Sequence, residues 1–221
     1  MVCQNVSIMT ERLRINTLSD TYSEEDRHGS AVVMVGSFAP IHDGHFDAVQ
    51  AASVALEARG VAVESLILTP NSAEYLEKKL PEDHTEWPYQ RRIQAILDRD
   101  AHTFIPTYVD DVSGYLSRNE EINDYVPLTI RRHLGFKACQ LYLVVGSDQL
   151  LSMESHLSDG VNRAVCVLRP GSLEQVQERL EIPWVAEAVE AERFIITERR
   201  DMENDISSTA IRTSVVAVEE Q

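Results

Sequence analysis

A chain of 221 residues, 43% hydrophobic and 25% charged, carries enough apolar surface for a full core, and one α/β domain is the simplest count. Its net charge of -16 excludes a general nucleic-acid binder, which needs a basic footprint. Cys3, Cys139 and Cys166 are too scattered for a disulfide framework or a CxxC metal site. No apolar run is long enough to span a bilayer and the N-terminus has no secretory h-region, so a cytoplasmic protein without a membrane partner is expected.

Residues 1–30 are polar, with no sustained period after Ile15, and read as an N-terminal extension or surface decoration. From Ala31 strand and helix signals alternate, which predicts one domain over 31–221 built on a parallel sheet with crossover helices on both faces. The strands are expected over 31–35, 63–68, 102–109, 138–145, 162–168 and 194–197. Helices are expected over 43–58, closed by Gly60, and over 90–99, 120–133, 173–180 and 183–191. Residues 71–89 read as an irregular polar stretch, and a further helix-like run opens at Ala210.

The first strand runs into Gly36-Ser37-Phe38-Ala39-Pro40-Ile41-His42-Asp43-Gly44-His45 and then a helix. Helix-initial N–H groups point outward without partners, so this turn is an anion site to which two imidazoles add donors. A zinc reading of His42 and His45 finds no third ligand. A second strand-to-helix turn is Gly146-Ser147-Asp148-Gln149-Leu150. Near the end, Ser207-Ser208-Thr209 ahead of Ala210-Ile211-Arg212 reads either as a helix cap or as a second anion site. There is no GxxxxGK[ST], no GxGxxG after a strand and no GxSxG, which removes the usual P-loop, dinucleotide and nucleophile-elbow readings.

Taken together, His42-Asp43-Gly44-His45 and Ile206-Ser207-Ser208-Thr209-Ala210-Ile211-Arg212 resemble the HxGH and ISSTxxR signatures of the nucleotidylyltransferase superfamily. Within it the chain is most similar to nicotinamide or nicotinate mononucleotide adenylyltransferases. Their GSFxPxHxGH, GxDxL and NDISSTxIR patterns appear at 36–45, 146–150 and 204–212. The resemblance implies a Rossmann-like doubly wound parallel sheet and adenylyl transfer from ATP, with Mg²⁺, to a mononucleotide phosphate in NAD biosynthesis.

By matching position it implies catalytic roles for His42, His45 and Arg212. ATP would be bound by Gly36, Ser37, Phe38, Gly44, Gly146, Asp148, Ile206, Ser207, Ser208 and Thr209 as well. The acceptor would meet Ser37, Phe38, Lys78 or Lys79 and an Arg of the Trp87–Arg92 segment, Arg91; the family's frequent Trp is missing after the Tyr108–Asp110 strand, and Trp87, Tyr108 and Tyr115 are the candidates to stack on the pyridine ring. An acceptor phosphate is already ionised at pH 7, so the chemistry asks for positioning and charge stabilisation rather than a strong base. Ala39 stands where the family usually has Asp or Asn, and the chain ends soon after Arg212, where relatives usually continue through another helix. Gly44-His45-Phe46-Asp47 also resembles the GHxD of pantetheine-phosphate adenylyltransferases. A regulator that keeps the nucleotide-binding fold without turnover is the reading from another class, and homo-oligomerisation stays open.

Overall fold

The computed structural model describes residues 14–18, 29–99, 105–111, 140–157, 162–169 and 172–199. Its strands are β1 (Asn16–Thr17), β2 (Ser30–Gly36), β3 (Val63–Pro70), β4 (Thr107–Val109), β5 (Leu141–Gly146), β6 (Arg163–Leu168) and β7 (Phe194–Glu198). They form one 7-stranded sheet in the order β1-β4-β3-β2-β5-β6-β7, and every pairing is parallel. The fold is the expected Rossmann-like α/β class. Strand order reverses beside β2, with β3 and β4 on one side and β5 to β7 on the other. A crevice opens at the carboxyl ends of the strands at such a point, and open α/β sheets bind ligands there.

Both faces of the sheet are covered, which is why the strands read as near-continuous apolar runs. Val32, Leu66, Leu68, Val144, Val165 and Val167 turn to one core, with α1 (Asp43–Glu57) and α3 (Tyr89–Leu97) packed on it. Their neighbours Ala31, Val33, Ile67, Val145 and Cys166 turn to the other, under α4 (Glu154–Leu157), α5 (Leu173–Leu180) and α6 (Pro183–Glu190). On α1 the buried side chains are mostly small, Ala48, Ala51, Ala52 and Ala55 among them, so the helix lies close against the sheet. Phe46 and Leu56 fill the gaps at its two ends, each contributing about 2–3 kcal/mol by burial. Gly60 turns the chain after the helix at φ 76°, a conformation that favours glycine.

Three expectations change. Residues 71–89 are not irregular throughout: they contain α2 (Ala73–Lys79), whose N-cap Ser72 accepts from the Tyr75 N–H at 3.2 Å, and a 3-10 turn at His84–Glu86. A seven-residue helix with Leu76 as its one buried side chain leaves no period to read. The turn after β5 enters a 3-10 helix, Ser147–Met153, before α4. The stretch read as decoration supplies β1, in which Asn16 and Thr17 pair with Tyr108 and Val109 while Ile15 and Leu18 are buried on either side. The strand expected over 102–109 is seen as Thr107–Val109, with 102–104 outside the described residues; the helix expected over 120–133 and the whole 204–212 motif also lie outside them.

Candidate active site

His42 is the N-cap of α1 and His45 lies in its first turn. The His42 N–H donates to His45 Nδ1 at 3.2 Å, and the two rings overlap with centroids 3.8 Å apart. Because Nδ1 of His45 accepts, its proton sits on Nε2 and is free to donate to a ligand. Burial, then Arg199, pushes the His42 pKa down to about 4, with Asp43 opposing. Burial, then His42, pushes that of His45 down to about 3. Both imidazoles are therefore neutral at pH 7, and both are donors of hydrogen bonds rather than of charge.

Phe38 holds this pair in place. Its ring is fully buried, meets His45 edge-on at 5.0 Å between centroids, and its backbone sits at φ 47°. A side chain at Gly36 would begin 2.8 Å from that ring, so Gly36 makes room for Phe38. The carbonyls of Gly36 and Ser37 are occupied within the protein, by the Asn71 N–H at 2.8 Å and by Arg92 Nη1 at 3.0 Å.

The second turn comes within reach across the crevice. A Cβ on Gly146 would fall 2.5 Å from Asp148 Oδ1, so the carboxylate folds back over the bare Cα. Arg179 of α5 donates to the Ser147 carbonyl and fixes the turn from behind. Between the two turns lies a cavity of about 330 Å³, lined by Met34 and Val35 of β2, Val144 to Gly146 of β5, and His42, Gly44, His45 and Asp148. Lys79, Arg169 and Arg199 line it too, and Asp148 is the one carboxylate among the lining residues. A protein of net charge -16 thus presents a cationic hollow at the carboxyl edge of its sheet. Among the described residues no group of three His, Cys, Asp or Glu could hold a metal ion. The Mg²⁺ that the sequence resemblance implies would therefore find no carboxylate cage among the described residues and would have to arrive with its own anionic and water ligands.

Of the two exposed lysines expected on the acceptor side, Lys79 and not Lys78 lines the cavity. Trp87, Arg91 and Tyr108 are not among the lining residues. The Arg91 guanidinium, in the first turn of α3, covers the Trp87 ring at 4.8 Å and donates to the Glu86 carbonyl at 2.6 Å, so it packs back on the loop that precedes its helix. Tyr108 packs against the second core. Arg92, next to the residue singled out from the sequence, is fully buried, and its Nε donates to the Trp87 carbonyl at 3.1 Å while Nη1 holds Ser37. It ties that loop to the histidine turn. Tyr115, Ile206, Ser207, Ser208, Thr209 and Arg212 lie outside the described residues.

Sequence reading chose Arg91 over its neighbour Arg92 and missed Arg169, Arg179 and Arg199. Arg169 and Arg199 carried a weak local signal, a cation just past an expected strand. Among the described residues no helix is long and apolar enough to cross a membrane. A search of curated proteins gives no significant match. The family model described as Cytidylyltransferase-like, by contrast, matches residues 33–214, which include both histidines, the Gly146–Asp148 turn and the Ile206–Arg212 segment. The chain therefore belongs to the cytidylyltransferase-like family, within the nucleotidylyltransferase superfamily.

Proposed function

We propose that this nucleotidyltransferase moves AMP from ATP to the phosphate of a pyridine mononucleotide, nicotinamide or nicotinate mononucleotide, and releases pyrophosphate. The observation that carries the reading is the pair of neutral imidazoles fixed at the start of α1 in a cationic cavity that also receives Asp148. An acceptor phosphate oxygen attacks the α-phosphorus of ATP in line. The new P–O bond forms as the bond to the β-phosphate oxygen breaks, and the electron pair leaves with pyrophosphate. His45 Nε2–H donates to the oxygens that gain charge on the α-phosphorus, and the α1 N–H groups add their partial positive charge. Asp148 would accept from the ribose hydroxyls, and Lys79 and Arg169 would neutralise the polyphosphate. Arg212 and the Ile206–Thr209 segment take the β and γ phosphates in this reading.

Pyrophosphate release with ATP, measured against nicotinamide mononucleotide, nicotinate mononucleotide and phosphopantetheine, tests it. Turnover with a pyridine mononucleotide is the expected result. Turnover with phosphopantetheine alone would replace the acceptor, and ATP binding without release from any acceptor would make the chain a nucleotide-binding regulator.

A further inference from the structure

We propose that Arg199, outside every motif of the sequence, contacts the substrate and grips its phosphate chain at the N-terminus of α1. The inference rests on the nucleotidyl-transfer reading above and adds to it a residue from the far edge of the sheet. Arg199 is the first residue after β7 and its side chain lines the same cavity as His42, Gly44 and His45. Its Nη1 lies 3.2 Å from where a Cβ on Gly44 would begin, so the guanidinium rests on the bare Cα of the second residue of the helix. An anion seated on the first-turn N–H groups of a helix meets whatever cation stands there.

The neighbouring strand strengthens the case. Leu168 of β6 is in register with Glu198 of β7, so Arg169 and Arg199 leave adjacent strands side by side, about 5 Å apart at the backbone. Both side chains line the cavity, where Asp148 is the one carboxylate. Two guanidinium groups lining one hollow make it favourable for a multiply charged anion that both can meet. Gly44 is the element of α1 that permits this approach, because a methyl group there would press on both Arg199 and the His42 ring. A guanidinium offers paired N–H donors in one plane, which matches the oxygens of a phosphate better than an ammonium would.

Calorimetric titration of the full chain with inorganic tripolyphosphate, and separately with adenosine, tests the assignment. Arg199→Ala should weaken tripolyphosphate binding by about 10- to 100-fold, leave adenosine binding unchanged and raise the KM for ATP; Arg199→Lys should recover part of the loss. Arg199→Gln, which keeps the length and a polar end, serves if the alanine variant does not fold, and the same loss is expected of it. Tripolyphosphate affinity equal to wild type in either folded variant would overturn the role of Arg199 while leaving nucleotidyl transfer standing. A wild-type chain that binds no tripolyphosphate and releases no pyrophosphate would overturn both.

Discussion

The backbone N–H of His42 donates to Nδ1 of His45, and this single 3.2 Å contact decides which end of the second imidazole faces the cavity as a donor. His45→Ala removes that donor, and pyrophosphate release should fall by about a hundred- to a thousand-fold, the cost of losing one donor to a charge-gaining oxygen. The circular dichroism spectrum should be unchanged. His45→Gln has an N–H₂ donor at a similar reach and should retain more activity than alanine. Equal rates in wild type and His45→Ala would refute the assignment.

The histidine pair also sets an acid limit. Both folded pKa values lie below the ordinary 6.5, at about 4 for His42 and about 3 for His45. The unfolded chain therefore takes up more protons in that interval, and stability rises with pH across it. The contribution is complete above pH 6.5 and is lost as pH falls through about 4 and then about 3. Denaturant midpoints from pH 7 to pH 4 should fall more steeply for wild type than for a His42→Asn, His45→Gln double variant, in which the carboxylates are the same. The rate should show no histidine limb near pH 6.5.

Arg92 is a buried cation whose pKa burial lowers to about 10, so it stays charged at pH 7. Its hydrogen bonds to the Trp87 and Ser37 carbonyls join two loops that are otherwise distant in sequence. Arg92→Met leaves both carbonyls without their donor and should cost about 2–5 kcal/mol in urea unfolding. Arg92→Lys should not restore the loss, because one ammonium cannot reproduce the planar fork that reaches both acceptors.

Two glycines should respond differently to the same added methyl group. At Gly36 the obstacle is the fully buried Phe38 ring, 2.8 Å from the new Cβ, so Gly36→Ala should destabilise by about 1–3 kcal/mol. At Gly146 the obstacle is the Asp148 carboxylate, 2.5 Å away on an exposed side chain that can rotate out. Gly146→Ala should therefore cost under about 1 kcal/mol of stability yet raise the KM for ATP several-fold, because the carboxylate has moved. Thermal melts beside initial rates separate the two effects.

Much of the fold was written in the sequence. The apolar runs 31–35 and 63–68 announce parallel strands, the glycine-punctuated turn after the first announces a helix, and the matching strands and α1 stand where the pattern puts them. His42, His45, Gly146 and Asp148 were legible as well, because a strand-to-helix turn is a local device whose residues are neighbours along the chain. Short elements were not: β1 and α2 draw their stability from what packs on them, and no periodicity records that.

By itself, then, the sequence determined the sheet, the two turns and the family to which the chain belongs. Only the tertiary structure decided that Lys79 rather than Lys78 reaches the cavity, that Arg91 and Trp87 pair with each other, and that Arg169 and Arg199 arrive beside the histidines. The reason is physical. A side chain's target depends on strand register and on which helix covers which face, and those are fixed by burial summed over the whole core, so residues 30 positions apart along the chain line one cavity.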